Sequence, residues 1–450
     1  MEIKRKAYQQ LLSWKNSQSA SKAILIKGAH RVGKSYLAEL FSEREYKSHI
    51  LIDFSSPIPG TIETFRKYGN RSQLDELFNQ LSVLYSTPLY PHHSVIVFDE
   101  VQKYPKAREL IKHLVADGRY DYIETGSLIS IKKNVRDILI PSEEAEINLY
   151  PLDFEEFLNA CDDFTSVPFL LQHYQNSEPL GNLLSTINEK LRTYMIIGGM
   201  PQAVAAYIAT RNINDVERVK RDIIRLYRED IGKYAEGYVA EASAIFDAIP
   251  SQLSHHDKKV KYASLGAGKR YSNYSDALHW IEESMVGSLS YGVDSPEHFQ
   301  DFKIQPDAVK CYMSDTGLLL TLSAGKNYLS SELYKSFTLG KLAVNKGMMT
   351  ENLIAQILLS RGYPLRFFET RITDRNTGKT SKYEVDFLIQ KNGETTPIEV
   401  KSGYAGAHSS LDYFREKYKS SVAHPVVLTK GDLRTSDGCL YLPLAMAIFL

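Results

Sequence analysis

The stretch Gly28-Ala29-His30-Arg31-Val32-Gly33-Lys34-Ser35 decides the fold of the first part of the chain. An apolar run at 23–26 precedes it, and a helical pattern at 36–41 follows it. Strand, glycine-bearing loop and helix in this order are the context of a phosphate-binding loop. The glycines permit a tight turn that brings backbone N–H groups close to phosphate oxygens, and the helix start adds partial positive charge.

The last two residues of this loop have the side chains that a nucleoside triphosphate requires. Lys34 can reach the β- and γ-phosphates, and the Ser35 hydroxyl can ligate Mg²⁺. An ordinary turn between a strand and a helix is the alternative. The spacing, the Lys-Ser pair and the flanking elements together favour the phosphate loop, so we predict that ATP and Mg²⁺ bind here.

A second apolar run, at 94–98, ends in Asp99 and Glu100. Such a run is typical of a strand buried on both faces of a parallel sheet, where functional groups gather at the carboxyl ends. We expect Asp99 to hold Mg²⁺, through water, and Glu100 to act as the general base that polarises the attacking water. A strand ending in a solvated acidic turn is the alternative.

A further strand pattern at 120–127 ends in small polar residues. A hydroxyl at this strand tip can sense the γ-phosphate or the attacking water; Ser127 is the first candidate and Thr125 the second. A plain Thr-Gly-Ser turn is the alternative. The residues predicted to contact the nucleotide are Gly28, Ala29, His30, Arg31, Val32, Gly33, Lys34, Ser35, Asp99 and Ser127, with Ser35 and Asp99 as metal ligands.

A second constellation of charged residues lies near the end of the chain. A helical pattern at 347–359 carries Glu351, and two strand patterns at 383–389 and 396–401 flank the turn signal Asn392-Gly393. Asp386 and Glu399 are then expected on paired strands.

The spacing within this hairpin indicates a metal site. Glu399 and Lys401 are two residues apart on a strand and therefore point to the same face. Carboxylates converging there bind Mg²⁺ through oxygen, and Lys401 supplies a positive charge or a proton. A hairpin with exposed charges is the alternative, and so is a site that binds DNA or protein without cutting.

Composition limits the classes of protein that remain. The chain has 450 residues, 54 Lys and Arg against 54 Asp and Glu, and three scattered cysteines. Balanced charge means that nucleic-acid binding requires a local patch, and unpaired cysteines fit a reducing compartment. No apolar stretch approaches the roughly 20 residues that span a bilayer. We expect a cytoplasmic protein without a membrane partner.

The middle of the chain has two regions of different pattern. Residues 151–236 are rich in helical patterns, including a helix start at Asp153 with Glu156 three positions later. Residues 241–325 show helices followed by short strands, which suggests a winged-helix module. Basic residues interleave with tyrosines at 255–271 and could contact phosphates. The alternative for this module is protein docking.

Several motifs together resemble the AAA+-type P-loop ATPases, namely GAHRVGKS, VIVFDEVQKYP and YIETGSLIS. With NLYPLDFEEFL, IIGGMPQAV and LYREDIGKY, the chain resembles more closely a microbial subfamily whose ATPase domain is joined to a nuclease-like region. Members usually carry a basic residue where this chain has His30. The resemblance implies an arginine near the γ-phosphate, for which the candidates are Arg119, Arg136, Arg225 and Arg228.

The segments Val-Asp-Phe-Leu-Ile and Ile-Glu-Val-Lys-Ser resemble the core of restriction-endonuclease-like nucleases over about the last hundred residues of the chain. Glu351 matches an extra acidic residue of many members. The resemblance implies a site in which Asp386 and Glu399 hold a metal. Its predicted catalytic residues are Glu351, Asp386, Glu399 and Lys401, in addition to Glu100 of the ATPase site.

The prediction is an α/β protein of four domains. They are a P-loop parallel-sheet ATPase core (1–150), a helical lid (151–236), a winged-helix-like domain (237–325) and a small α/β restriction-endonuclease-like domain (326–450). We expect a Mg²⁺-dependent ATPase whose nucleotide state controls DNA binding or cleavage by the last domain. The alternative is an ATP-dependent switch that binds a protein or nucleic acid and cuts nothing. Relatives of the resembling class form rings, dimers or monomers, so a homo-oligomer is compatible with this prediction.

Overall fold

The computed structural model describes residues 2–126, 142–255, 257–293, 302–325, 346–373, 378–391, 393–403, 408–419 and 422–450. The chain forms two compact units. The first unit comprises Met1–Tyr150 with Glu283–Met285, and the second comprises Pro151–Glu282 with Val286–Leu450.

A five-stranded sheet forms the centre of the first unit. Its strands are β1 (Ala23–Lys27), β2 (Ser48–Asp53), β3 (Ser94–Asp99), β4 (Asp121–Gly126) and β5 (Glu144–Asn148). They lie in the order β2-β3-β4-β1-β5, and all neighbouring pairs are parallel. The predicted α/β fold with a parallel-sheet core is therefore confirmed. Since β4 lies between β1 and β3, the loop after β1 and Asp99 at the end of β3 share one edge of the sheet.

Helices cover both faces of this sheet. They are α1 (Ala7–Ser17), α2 (Lys34–Glu45), α3 (Thr61–Tyr68), α4 (Leu74–Leu84) and α5 (Pro105–Asp117). Strand β3 explains the apolar run: Val95 and Val97 pack into one hydrophobic core, whereas Ile96 and Phe98 pack into the other. Such two-sided burial requires apolar residues at every position of the strand.

Strand β5 is the element of this sheet that the sequence does not reveal. It alternates charged or polar with less polar residues, Glu-Ala-Glu-Ile-Asn, and pairs in parallel with β1 at the edge of the sheet. An edge strand is half exposed, so it carries charge and lacks the continuous apolar run of a central strand.

The α-helices that the structure describes in the second unit lie before and between the strands of its sheets. They are α6 (Phe154–Ala160), α7 (Ser166–Asn176), α8 (Leu184–Ile197), α9 (Pro201–Thr210), α10 (Ile213–Tyr234), α11 (Val239–Ser254), α12 (Tyr262–Leu265), α13 (Ser275–Glu283), α14 (Thr316–Ser323), α15 (Lys346–Ser360) and α16 (Ser409–Lys417). The predicted capping box is confirmed, because Asp153 accepts from the Glu156 N–H and Glu156 accepts from the Asp153 N–H.

Two sheets complete the second unit. The first has the order β7-β6-β8-β9 and the second the order β10-β11-β12-β14-β13. The strands are β6 (Gly287–Val293), β7 (Ile304–Met313), β8 (Arg366–Thr373), β9 (Thr380–Val385), β10 (Phe387–Lys391), β11 (Glu394–Val400), β12 (Val426–Thr429), β13 (Arg434–Ser436) and β14 (Cys439–Pro443).

Asp386 lies at the junction between these two sheets. The predicted single strand at 383–389 divides there, because β9 pairs with β8 and β10 pairs antiparallel with β11. The antiparallel pairing of β10 with β11 confirms the predicted hairpin, although Asn392 of its turn lies outside the described residues.

The first of these sheets takes strands from both sides of residue 325. Strands β6 and β7 belong to the predicted winged-helix-like region, and they share the sheet with β8 and β9 of the predicted nuclease-like region. The division into four domains stays a prediction. None of the helices in the described ranges is both long enough and apolar enough to cross a membrane.

Candidate functional sites

The loop between β1 and α2 has the backbone of a phosphate cradle. At Gly28, an added Cβ would lie 2.5 Å from the Leu149 carbonyl oxygen, so only glycine fits there. Gly33 has a φ of 98°, a conformation that favours glycine, and it immediately precedes α2. Gly33 offers no side chain to cap the first N–H groups of α2, which leaves them to an anion.

Lys34 begins α2, and its side chain is buried within the loop. Its amine donates to the carbonyl oxygens of Gly28 at 3.0 Å and Ala29 at 3.2 Å. These two neutral acceptors lie within the loop itself. Arg31, with a φ of 67°, is exposed at the tip of the loop, whereas Val32 is buried below it.

Asp99 lies where the ends of β3 and β4 meet the start of α2. The Ser35 hydroxyl donates to Asp99 Oδ1 at 2.7 Å, and the Thr125 hydroxyl donates to the same oxygen. Burial raises the pKa of Asp99, and these two hydroxyl donors oppose that shift. Thr125, the second candidate of the predicted sensor pair, therefore contacts the acid. Ser127, the first candidate, lies outside the described residues.

This arrangement fits Mg²⁺. P-loop NTPases hold the ion between the loop hydroxyl and an aspartate at the end of a strand. Here the Ser35 hydroxyl and the Asp99 carboxylate are in direct contact, at the edge of the sheet where the phosphate loop opens.

Glu100 has an unusual backbone for its residue type. Its φ is 52°, a left-handed conformation that concentrates at functional sites in proteins. Its N–H donates to the Thr125 hydroxyl at 3.2 Å, and its carboxylate accepts from the Gln102 side chain. His30 Nε2 lies 3.9 Å from the same carboxylate. The Glu100 carboxylate therefore lies beside His30 of the loop and is held by Gln102, a partner that sequence reasoning missed.

Arg5 is another residue that the sequence does not reveal. Its guanidinium donates to the carbonyl oxygens of Val32 at 3.0 Å and Tyr150 at 2.5 Å. It thereby ties the phosphate loop to the end of the first unit. No local pattern marks this residue, because its partners are distant in sequence.

The arginine candidates lie in different places. Arg119 precedes β4, at the opposite edge of the sheet from the phosphate loop, and pairs with Asp117 and Asp75. Arg225 pairs with Asp222 at 3.0 Å, and Arg228 pairs with Asp247 at 2.8 Å. Arg136 lies outside the described residues. Arg119 therefore lies too far from the phosphate loop to contact a nucleotide bound in the same chain.

The second constellation brings together the residues that end the β10–β11 hairpin. Lys401 donates to Glu399 Oε1 at 2.6 Å, as their spacing predicts. The Val400 N–H donates to Asp386 Oδ2 at 2.8 Å. The other oxygen of Glu399, Oε2, is buried, and no donor among the described residues reaches it.

Glu351 takes part in a different network from the predicted one. Its carboxylate accepts from Lys310 at 3.1 Å, from Tyr312 at 2.6 Å and from Lys258. Lys310 is fully buried and also lies 2.7 Å from Glu384 and 3.9 Å from Asp386. Both lysines come from the predicted winged-helix-like region, so sequence reasoning did not connect them with the acids.

The pKa values of the acids in this network depend on burial and on the neighbouring charges. Burial alone would raise the pKa of Glu351, but Lys310 and Lys258 hold it below its usual value. Burial and the carboxylates of Glu351 and Glu399 raise the pKa of Asp386 to about 8. Burial likewise raises the pKa of Glu399. The acids nearest the two lysines thus carry compensated charge.

A metal does not fit Glu351 as it is placed, since three protein donors already occupy its carboxylate. In the part of the chain that the structure describes, one acidic trio has ligand oxygens within 4.8 Å of one another: Asp257, Glu369 and Glu384. Lys382 lies 2.7 to 3.2 Å from all three, so this group is an ion-pair cluster. Asp386 and Glu399 as metal ligands stay a prediction.

The basic run at 257–261 has an internal role in the structure. Lys258 pairs with Glu351, and Lys259 lies 2.9 Å from Glu369. These two lysines therefore pair with carboxylates of the same unit. They are not available for the phosphate contact that the sequence predicts. His256 lies outside the described residues.

Comparison with protein families divides the chain into three matched segments. Residues 20–158 match a family described as an AAA domain. Residues 188–328 and 346–446 match two families that are each described as a domain of unknown function (DUF8612 and DUF4143). The segment with an interpretable match is thus the one that contains the phosphate loop.

Individual proteins that resemble this chain do so at low sequence identity. An uncharacterized protein of Haemophilus influenzae is 22% identical over 401 residues, which is 88% of this chain and 86% of that protein. A signal transduction ATPase with numerous domains from Pyrococcus horikoshii gives a TM-score of 0.30 at 12% identity, covering 79% of this chain and 48% of that one. This chain thus spans about half the length of that protein.

Cdc6p from Pyrobaculum aerophilum gives a TM-score of 0.25 at 12% identity, with 75% of this chain and 97% of that chain covered. The family match, together with the parallel sheet and its phosphate loop, supports an AAA-type P-loop ATPase domain in residues 20–158.

Proposed function

We propose that the first unit binds ATP with Mg²⁺ and hydrolyses it. The observation that carries this proposal is the convergence of Ser35, Thr125 and Asp99 beside the phosphate loop. The bound Mg²⁺, held by Ser35 and Asp99, would neutralise phosphate charge.

The chain's own residues would do the rest. Lys34 leaves its carbonyl acceptors and pairs with the β- and γ-phosphates, while the N–H groups at the start of α2 donate hydrogen bonds to phosphate oxygens. Glu100, oriented by Gln102, takes a proton from the attacking water as the water oxygen bonds to the γ-phosphorus. The bond between that phosphorus and the bridging oxygen of ADP breaks, which releases ADP and inorganic phosphate.

The test is ATP turnover by the full chain and by Glu100→Gln. We expect kcat to fall by about 100-fold or more in the variant, which lacks the base, while ATP binding is retained. Glu39→Gln, an exposed glutamate on α2, is the matched control and should keep the wild-type kcat. Equal turnover by wild type and Glu100→Gln would refute the assigned role.

For the second unit we propose control by the nucleotide state over the binding of a partner, DNA or protein. A DNA-cleaving form of this proposal is supported by the contacts among the end of β11, Asp386, Glu399 and Lys401. A non-cleaving form is supported by Lys310 and Lys258, whose amines pair with Glu351, the acid that the nuclease resemblance places in the catalytic site. We favour the non-cleaving form.

Nuclease assays separate the two forms. Supercoiled and linear DNA are incubated with Mg²⁺ or Mn²⁺, with and without ATP, for wild type, Asp386→Ala and the control Asp307→Ala, an exposed aspartate on β7. We expect DNA to stay intact in every reaction. Cleavage that is lost only in Asp386→Ala would establish the cleaving form instead.

A further inference from the structure

A concave pocket of about 330 Å³ opens on the first unit, and its lining includes no residue of the phosphate loop. It lies between α3, the turn that follows α3, and α5. Its polar lining is dominated by four basic side chains, those of Arg66, Arg71, Lys106 and His113.

These basic side chains are not used by the fold. Among the described residues, none of the four has an ion pair or a side-chain hydrogen bond, whereas nearby Arg108 pairs with Glu144 at 2.7 Å and Arg119 pairs with Asp117 at 2.7 Å. Glu109 is the one carboxylate of the lining. The pocket therefore has a net positive charge that its own walls leave uncompensated.

The floor of the pocket is apolar and firmly held. Phe65 is 5% exposed and Leu110 is 4% exposed. Tyr104 stacks on Phe54, with ring centroids 5.6 Å apart and 23° between the ring planes. The Asn70 side chain accepts from the Ser72 N–H at 3.1 Å, which orders the turn that carries Arg71. An apolar floor under basic walls suits a ligand with one apolar part and one anionic part.

We propose that this pocket binds an organic phosphate of the size of one nucleotide. Guanidinium groups pair with phosphate oxygens in a bidentate manner, and the apolar floor can contact the ring. The volume lies at the lower end of the range for small-molecule sites, about 300–1,000 Å³. The same chemistry is offered by a free nucleoside monophosphate and by one unit of a single-stranded nucleic acid.

The experiment uses the full chain with Lys34→Ala, so that the phosphate loop does not compete for the probes. Thymidine monophosphate is titrated by calorimetry, and a fluorescent twelve-residue oligothymidylate by anisotropy. Arg66→Ala with Arg71→Ala is the pocket variant. Lys67→Ala with Lys112→Ala is the matched control, because it removes the same charge from exposed side chains on α3 and α5 that do not line the pocket.

We expect the pocket variant to bind at least ten-fold more weakly and the control to stay within two-fold of the parent. Tight binding of the monophosphate identifies a free ligand. Preference for the oligothymidylate identifies a nucleic acid. The plot of the logarithm of its association constant against the logarithm of the salt concentration should then be less steep by about 1.4 in the pocket variant, which lacks two phosphate contacts.

Three results would overturn the proposal: neither probe binds, the two double variants weaken binding equally, or a glutamate-rich peptide binds as tightly as the phosphates. Lys106→Ala repeats the test from α5 should the double variant fold poorly. Because no ATP turnover is measured, failure here is distinct from failure of the proposed ATPase.

Discussion

The phosphate loop and the acid–lysine cluster of the second unit are built from the same residue types but differ in how their charges are compensated. Lys34 is held by two backbone carbonyl oxygens, and Asp99 is held by two hydroxyl groups. In the second unit, Glu351 is held by the charged amines of Lys310 and Lys258.

This difference separates a site prepared for a ligand from a core that is already neutral. Neutral partners can exchange with a charged ligand at little cost. Breaking a buried ion pair leaves an uncompensated charge, which costs several kcal/mol. The presence of acids and a lysine in a motif therefore does not by itself establish a metal site.

The largest expected effect tests the compensated core. Lys310→Met should lower the free energy of unfolding of the second unit by about 3–5 kcal/mol, because Glu351 and Glu384 lose a buried partner. Urea unfolding is followed through Trp280 in a Trp14→Phe background, since each unit contains one of the two tryptophans. Lys303→Met, at an exposed lysine, is the control. A loss below about 1 kcal/mol would contradict the compensation.

The next effect tests the prepared site. Lys34→Ala should lower kcat/KM for ATP by at least about 100-fold, since the cation that pairs with the phosphates is gone. Its free energy of unfolding, followed through Trp14, should change by less than about 1 kcal/mol, because the two released carbonyl groups can bind water. Lys22→Ala, at an exposed lysine, should match wild type in both measurements. A variant that lost stability instead of activity would show that Lys34, like Lys310, stabilises the fold and does not bind the ligand.

A buried carboxyl of the first unit sharpens the comparison further. Burial, and secondarily the Glu144 carboxylate, raises the pKa of Glu124 well above its usual value. The folded state thus keeps a proton that the unfolded state releases, so stability is fully present below the unfolded pKa and falls as pH rises toward the folded pKa.

Glu124→Gln keeps the shape and removes this titration. We expect the variant to be more stable than wild type at pH 8–9 by about 1–3 kcal/mol, and the difference to shrink toward pH 4. Urea unfolding through Trp14 across this pH range provides the measurement, with Glu63→Gln on α3 as the exposed control. A difference that did not depend on pH would mean that Glu124 does not titrate in this range.

The smallest expected effect concerns metal in the second unit. Mg²⁺ without nucleotide should change the free energy of unfolding followed through Trp280 by less than about 0.5 kcal/mol, because three protein donors already occupy the Glu351 carboxylate and the non-cleaving form binds no metal. A larger stabilisation that disappears in Glu399→Gln would show that a metal enters the hairpin site. That result would favour the DNA-cleaving form of the proposed function.

Much of the first unit was readable from sequence because its signals are local. Two-sided burial of β3 requires a continuous apolar run, and the tight turn at Gly28 and Gly33 requires glycine, so both leave a visible pattern. The edge strand β5, the contact of Thr125 with Asp99, and the role of Arg5 were not readable. Each depends on partners that are distant in the chain.

For the second unit the sequence indicated the hairpin and the spacing of Glu399 and Lys401, and both are present. It did not indicate that the chain changes sheets at Asp386, or that Lys310 lies against Glu351. The amphipathic pattern of a strand states which side is buried, but not which charge from another element is buried with it.

The sequence by itself therefore determined the parallel-sheet class, the phosphate loop and the acidic end of β3, because backbone geometry and burial restrict which residues can stand at each position. Tertiary structure alone decided which charges meet. Ion pairing acts between side chains brought together from distant segments, and no local pattern encodes the distance between Lys310 and Glu351 or leaves Arg66 and Arg71 beside an open pocket.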